Sequence, residues 1–541
     1  MANRLLCMGI VFLAAFSFLL CNLALLSTNQ DYAAAAKNQS EETLLLNEGR
    51  GNIYDCDFVP LTNAQYTVYA LFSPGSKSYR TWFDTVAEGD KTAFYESIQR
   101  IQPFLASVES GDAEKLPYTF YNPERYWADP IAPHLIGYRD AEGNGVSGLE
   151  LVYNDLLKGA STKEEVACVT NARGAFLDEE PYTPRVLYTE GSGDGVMMTL
   201  DSEVQRICEG IASEKMERGS IVVLDSATGR VRASVSMPVY DPLNVAASIQ
   251  RNDTSLVNRA VSSFNVGSVF KPILAAAALE AGFDPQAEYE CVGATELNGH
   301  VYRCANGTVH GKVNLQTALE QSCNCYFIEL GLKLGGRRLH AAAQDTGFGA
   351  SSVIAGRLLS TAGDLPTAEE LTDLGQLASV SFGQGALTAS PLQVAAAINV
   401  FATGGRYIEP TFVEGIVDEY SETLKESLYA PLQRQVCSAG TAEAVRSMMQ
   451  GVVENGLGKA ARPLKITAAG KTGTAQTGRY DENGEELLNA WFAGFFPAQA
   501  PQYTVCVLLD DGFAGSTQAA EIFADVANAL YFSGFTAENP A

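Results

Sequence analysis

From Leu5 to Leu26 the chain is apolar, interrupted only by small or weakly polar residues such as Ser17 and Asn22. That is long enough to span a bilayer. Arg4 precedes the run and acidic residues follow only later, so the positive-inside tendency predicts a cytoplasmic N-terminus and an extracytoplasmic remainder. The length of the apolar core favours an uncleaved anchor, taken as 5–27, over a cleavable signal peptide. Residues 28–48 are polar and Ala-rich, which predicts a tether or helical stalk. Short alternating segments with Pro pairs and Gly breaks fill 49–195, and none of them matches a motif that carries chemistry. Beyond Val196, Ile221 to Asp225 and Val231 to Val235 flank a turn at Ala227 to Arg230 and predict a β-hairpin. Trp491 to Phe495 and Tyr503 to Leu509 predict two more strands, with a third around Lys471 just before them. Helical periodicity occupies the middle of this region and returns from Gln518 to Tyr531. Strands at both ends with helices between them predict an α+β domain over 196–535, a central antiparallel sheet flanked by helices.

At 541 residues and 46% hydrophobic content the chain has room for two to four domains with sizeable cores. A net charge of −26 argues against nucleic acid or an anionic membrane surface as an electrostatic partner.

One stretch organises the rest: Phe264-Asn265-Val266-Gly267-Ser268-Val269-Phe270-Lys271-Pro272, followed by apolar Ile273 to Leu279 and a stop at Gly282. Pro is tolerated only near the start of a helix, so the helix begins close to Ser268 and puts Ser268 and Lys271 on one face. A serine becomes a nucleophile when a base takes its proton, and a lysine serves as that base when burial lowers its pKa. Gly267 allows another segment to approach Ser268 closely. Ser-x-x-Lys arises often by chance, but two later motifs follow it in order. Ser322-Cys323-Asn324 opens an apolar helical segment, and the much rarer Lys471-Thr472-Gly473-Thr474 begins a strand. The three together are the signature of serine enzymes that acylate on D-Ala-D-Ala peptides or β-lactams.

On these motifs the chain resembles class B penicillin-binding proteins, monofunctional peptidoglycan transpeptidases, from about residue 49 to 535. Arg50-Gly51-Asn52-Ile53-Tyr54-Asp55 is similar to the family's opening box, and Ile136-Gly137-Tyr138 with Gly145-Val146-Ser147-Gly148-Leu149-Glu150 to its pedestal box. Ser381-Phe382-Gly383-Gln384-Gly385 with Ser390-Pro391-Leu392-Gln393 resembles the stretch between the second and third motifs. Cys56, Phe58 and Val266 depart from the usual pattern.

The resemblance implies a transpeptidase domain on a non-catalytic, dimerisation-type pedestal over 49–195. It implies that Ser268 attacks the carbonyl between two terminal D-Ala residues and that Lys271 takes its proton. Ser322 and Asn324 then surround Lys271 and the substrate amide. Lys471, expected near the solvent-filled cleft and protonated, draws the terminal carboxylate together with Thr472, Gly473 and Thr474. A second stem peptide resolves the acyl-enzyme into a cross-link, β-lactams inhibit, and a membrane glycan polymerase and other cell-wall proteins are the implied partners. The role in cell shape, cell division or sporulation stays open. A D,D-carboxypeptidase differs only in using water as acceptor. A β-lactamase-like hydrolase needs a Glu-positioned water, and no Glu-x-x-Leu-Asn lies between Ser322 and Lys471. A silent scaffold would require decayed motifs. With four His, none beside a nucleophile, a Ser-His-Asp hydrolase is disfavoured.

No catalytic cofactor is expected. Of eleven Cys, Cys7 and Cys21 lie in the apolar span, which leaves an odd number outside. Cys291, Cys304, His310 and Cys323 fall close enough along the chain for a structural zinc site. A Cys291–Cys304 disulfide is at least as well supported by an extracytoplasmic location, and free buried thiols are the third reading.

Overall fold

The structure is a computed structural model that describes residues 2–28, 31, 40–74, 82–171, 173–177, 183–251, 253–512 and 515–536. Helix α1 (Ala2–Thr28) is apolar from Leu5 to Leu26 apart from Ser17 and Asn22, and none of its residues is buried. At about 1.5 Å per residue its 27 residues exceed the roughly 30 Å of a hydrocarbon core. Asn22 donates to the Phe18 carbonyl at 3.0 Å, which satisfies its amide inside the helix.

Two compact units follow. The smaller comprises 63–125 and 159–192 together with the chain up to Arg50. It holds two three-stranded sheets, built from β1 (Glu41–Asn47), β2 (Gln65–Phe72), β3 (Phe104–Val108), β4 (Thr119–Glu124), β5 (Lys163–Val169) and β6 (Arg185–Thr189), in the orders β1-β5-β6 and β3-β2-β4. Phe72 and Phe94 meet edge to face at 4.8 Å in its core. Of the tether expected over 28–48, residues 29, 30 and 32–39 lie outside the described residues. Residues 41–47 form β1, which pairs with β5 more than a hundred residues away.

The larger unit contains 193–541 and also 51–62 and 126–158. The span 49–195, expected as one pedestal, is therefore shared between the two units. The reason lies in the core: Ile53, Leu61, Leu135, Leu149 and Leu157 are buried in one cluster with Val196 and Leu200. The Asp55 carboxylate also accepts from the Ser202 hydroxyl at 2.6 Å, beside the start of α2 (Ser202–Lys215).

The centre of this unit is an antiparallel sheet of five strands: β7 (Gly219–Asp225), β8 (Val231–Met237), β11 (Ala469–Tyr480), β12 (Glu486–Phe496) and β13 (Tyr503–Gly512), in the order β8-β7-β13-β12-β11. A small hairpin, β9 (Ala294–Leu297) and β10 (His300–Arg303), precedes the last three in sequence. Side chains alternate across the sheet, and both faces are covered. Ile221, Val223, Phe492 and Val507 pack on one face with Val204 of α2 and Phe523 of the C-terminal helix Ser516–Phe532. Val222, Leu224, Trp491 and Leu508 face the other core, which holds helix α3 (Lys271–Glu280). Two buried faces explain why Ile221-Val222-Val223-Leu224 reads as an unbroken apolar run. The hairpin, the three later strands and the final helix stand where the hydrophobic pattern puts them. Strand β11 lies at the edge of the sheet, next to α3's N-terminus.

Candidate active site

Gly267–Phe270 form one 3-10 turn that runs into α3, with Pro272 in the first turn where a missing N–H costs no hydrogen bond. Ser268 is half-buried in that turn, and Lys271, the first helical residue, is fully buried. The turn is wedged between two backbones. Gly267 has φ +66° and donates to the Gly383 carbonyl at 2.7 Å, and a Cβ on it would stand 2.8 Å from the Thr474 oxygen. This is the close approach expected of Gly267. It also accounts for Gly383, whose own Cβ would collide with the Gly267 oxygen. On the other side the Trp491 indole N–H holds the Asn265 carbonyl at 2.9 Å.

Ser322 follows helix Leu315–Glu320 and precedes helix α4 (Asn324–Leu334) with φ +53°, a conformation uncommon outside glycine. The bend aims both its oxygens inward. Lys271 Nζ donates to the Ser322 carbonyl at 2.8 Å and contacts Ser322 Oγ at 3.1 Å. It also reaches Asn324 Oδ1 at 2.8 Å. The orientation of that amide is set by its nitrogen, which donates to the Arg303 carbonyl at 3.0 Å. Lys471 Nζ contacts the same Ser322 Oγ at 3.1 Å and the Thr472 carbonyl at 3.0 Å. One hydroxyl thus bridges two lysine amines.

Lys471 is fully buried, not at the solvent edge. That corrects the expectation that it sits nearer the cleft and simply stays protonated. Burial pushes Lys271 down to about 7. Burial also holds Lys471 well below the ordinary lysine range, and the Lys271 charge pushes it further down. Two adjacent ammonium groups without solvent repel, so near neutral pH the pair favours sharing a single charge.

Above the amines, Ser268, Ser322, Asn324, Thr472, Gly473 and Thr474 line one cavity of about 500 Å³. All eight residues singled out in the three motifs therefore meet: six at the cavity wall and two lysines behind it. His310 of the candidate metal cluster and Gln384 of the Ser381–Gly385 stretch also line it, as do Leu457 and Ser516, which no sequence motif marks. Among the described residues no carboxylate lines this cavity.

Cys291, Cys304, His310 and Cys323 also converge, their ligand atoms all within 4.8 Å of one another. Sγ of Cys291 and of Cys304 are 3.8 Å apart and both thiols are free, so the structure holds no disulfide there. Cys304 and Cys323 are likewise 3.8 Å apart, and Cys291 Sγ lies 3.4 Å from His310 Nδ1. Tetrahedral zinc, with bonds of about 2.3 Å to sulfur and 2.0–2.1 Å to nitrogen, sets sulfur atoms roughly 3.8 Å apart and sulfur about 3.5 Å from nitrogen. The donors fit that group. Cys325, 3.6 Å from Cys304, belongs to the same cluster and was missed. Its spacing of two from Cys323 was the available signal.

A serine and a buried lysine one turn apart, with a second lysine on the edge strand of an antiparallel sheet, make an arrangement chemically suited to serine acylation. The model of the penicillin binding protein transpeptidase domain matches residues 219–528, more than half of the chain, and the chain belongs to that family. It is 31% identical over 413 residues to stage V sporulation protein D of Bacillus subtilis, covering 73% of this chain and 61% of that protein. It is 30% identical over 409 residues to the peptidoglycan D,D-transpeptidase MrdA of Acinetobacter baumannii, covering 69% and 58%. The matched stretch thus spans about three fifths of these relatives. A solved peptidoglycan synthase complex that coordinates polymerization and crosslinking contains a chain of the same fold, at TM-score 0.70 and 23% identity, covering 99% of this chain and 100% of that one.

Proposed function

We propose that the protein is a peptidoglycan D,D-transpeptidase acting through a serine acyl-enzyme. The observation that carries this is the Ser322 hydroxyl held 3.1 Å from both Lys271 and Lys471, directly behind a cavity that Ser268 lines. Ser268 Oγ attacks the carbonyl between two D-Ala residues while Lys271, neutral because it is buried, takes the hydroxyl proton. Backbone N–H groups of Ser268 and Thr474 receive the developing oxyanion. The departing amine of D-Ala takes a proton through Ser322, which touches both amines. The terminal carboxylate binds the Thr472 and Thr474 hydroxyls and the charge the lysine pair retains. A second peptide's amine then attacks the ester. A strained β-lactam amide enters by the same first step. The absence of a lining carboxylate among the described residues speaks against a Glu-activated deacylating water, as in a β-lactamase.

The reading extends to the rest of the chain. Helix α1 anchors the protein with its N-terminus in the cytoplasm, and the small unit belongs to a non-catalytic pedestal. The likeness to the solved synthase complex supports a membrane glycan polymerase as partner. Zinc at Cys291, Cys304, His310 and Cys323 is structural: it ties the hairpin segment to Ser322-Cys323-Asn324, and no reacting atom lies on it.

Incubation with a synthetic stem pentapeptide and a separate amine acceptor tests the assignment. Release of D-Ala with formation of the cross-linked dimer supports it. Release of D-Ala with tetrapeptide as the sole product would make the protein a D,D-carboxypeptidase.

A further inference from the structure

Part of the wall around Ser268 is shared with a larger groove that runs along the outer end of β11: Asn324, Phe382, Gln384 and Thr474 line both. Gln321 and Leu457 line the cavity and not the groove, as Thr472 does. Leu457 is 59% exposed, a large apolar side chain left open to solvent beside the second motif. Its backbone fixes where it stands. The Leu457 N–H donates to the Glu320 carbonyl at 3.1 Å, two residues before Ser322. Glycines flank it on both sides, and both are packed: a Cβ on Gly456 would lie 2.5 Å from the same Glu320 oxygen, and one on Gly458 would lie 3.0 Å from the Val452 oxygen. The turn is thereby docked on the end of helix Leu315–Glu320 and presents Leu457 at the cavity wall. Gln321 is exposed as well, and its side-chain amide has no partner among the described residues.

This inference rests on the transpeptidase reading. In that reading the departing D-Ala has its carboxylate at Thr472, while the acylated peptide stays bound to Ser268 with its chain along the groove. A second peptide must bring its amine to the carbonyl that D-Ala has left, and the groove side is occupied. It therefore enters over the part of the wall that the groove does not share. We infer that Leu457 and Gln321 form the acceptor side of the site: Leu457 packs on the aliphatic arm that carries a primary amine, and Gln321 hydrogen-bonds an amide of the same peptide. The amine nitrogen bonds the carbonyl carbon, the C–O bond to Ser268 breaks, and the amine's proton passes through Lys271 to Ser268 Oγ. An amine attacks only when neutral. Apolar Leu457 beside its arm, the charge on the lysine pair, and the lack of a lining carboxylate among the described residues all disfavour the ammonium form. The arm on Leu457 also displaces water from beside the ester, so transfer gains over hydrolysis. Leu457 and Gln321 are specificity residues and take no part in bond making.

The test uses the full chain in detergent, a soluble peptide ending in D-Ala-D-Ala as donor, and a soluble peptide with a primary amine on an aliphatic arm as acceptor. The readout is the ratio of cross-linked product to hydrolysed tetrapeptide as the acceptor concentration is raised, a quantity independent of how fast the acyl-enzyme forms. Leu457→Ser is expected to raise the acceptor concentration at which the two products are equal about tenfold, the worth of one to two buried methylene groups. Leu457→Met restores most of the ratio, and Gln321→Ala raises that concentration severalfold, the worth of one hydrogen bond. A Leu457→Ser variant whose product ratio matches the wild type overturns the inference, even if both products form more slowly, and leaves the transpeptidase reading standing. Tetrapeptide as the sole product of the wild type at every acceptor concentration overturns the transpeptidase reading and this inference with it.

Discussion

Replacing Lys271 by Arg separates a base from a mere positive charge. An ordinary lysine near 10.5 is neutral in about one molecule of 3,000 at pH 7, whereas one lowered to about 7 is neutral in half. Burial therefore raises the fraction of competent base by roughly three orders of magnitude. Guanidinium does not deprotonate in proteins, so Lys271→Arg keeps a charge and loses the base. Penicillin acylation should fall by about 10²–10⁴-fold, the usual contribution of a general base. Lys471→Arg should lose less, because a positive group is retained where one is needed. The pH profile carries the sign. Protonation removes the base, so wild-type acylation should be flat above about 7 and fall about tenfold per unit below it. Stopped-flow acylation with one penicillin from pH 5 to 9 measures both. Near-normal acylation by Lys271→Arg, with the pH step intact, would refute the reasoning and move the base to Ser322.

Gly267→Ala should slow acylation at least tenfold and lower Tm, because φ +66° costs a non-glycine residue about 1–2 kcal/mol and the new Cβ meets the Thr474 oxygen at 2.8 Å; thermal melts and penicillin binding check it. The purified full chain should hold about one zinc with and without reductant, lost with Cys304→Ser alongside a lower Tm, as metal analysis will show. A chain begun at Gly195 should be markedly less stable than one that includes 51–62 and 126–158, since Ile53, Leu135 and Leu149 share its core; urea melts of the two decide.

Much of the catalytic geometry was legible because the chemistry demands particular residue types. Ser268, Lys271, Asn324 and Lys471 recur in motifs whose spacing places them on helix starts and a strand. The five-strand sheet was legible for a different reason: its strands are buried on both faces and bounded by turns. What stayed hidden depends on distant packing. Nothing local in Thr467-Ala468-Ala469-Gly470 tells that Lys471 is sealed from water, or that Ser322 bends to φ +53° to reach it. Strand β1 has no local mark either, because Glu41-Glu42-Thr43-Leu44 is a strand only by pairing with 166–169. The return of 126–158 to the core of the large unit is non-local in the same way.

The central claim is that Ser268 is the acylated nucleophile. Treating the protein with a fluorescent penicillin, digesting it and sequencing the labelled peptide by mass spectrometry tests that most directly. The account predicts one adduct, on Ser268, and none in Ser268→Ala with an unchanged melting profile. An adduct on any other serine, or labelling that persists in a folded Ser268→Ala variant, would contradict it.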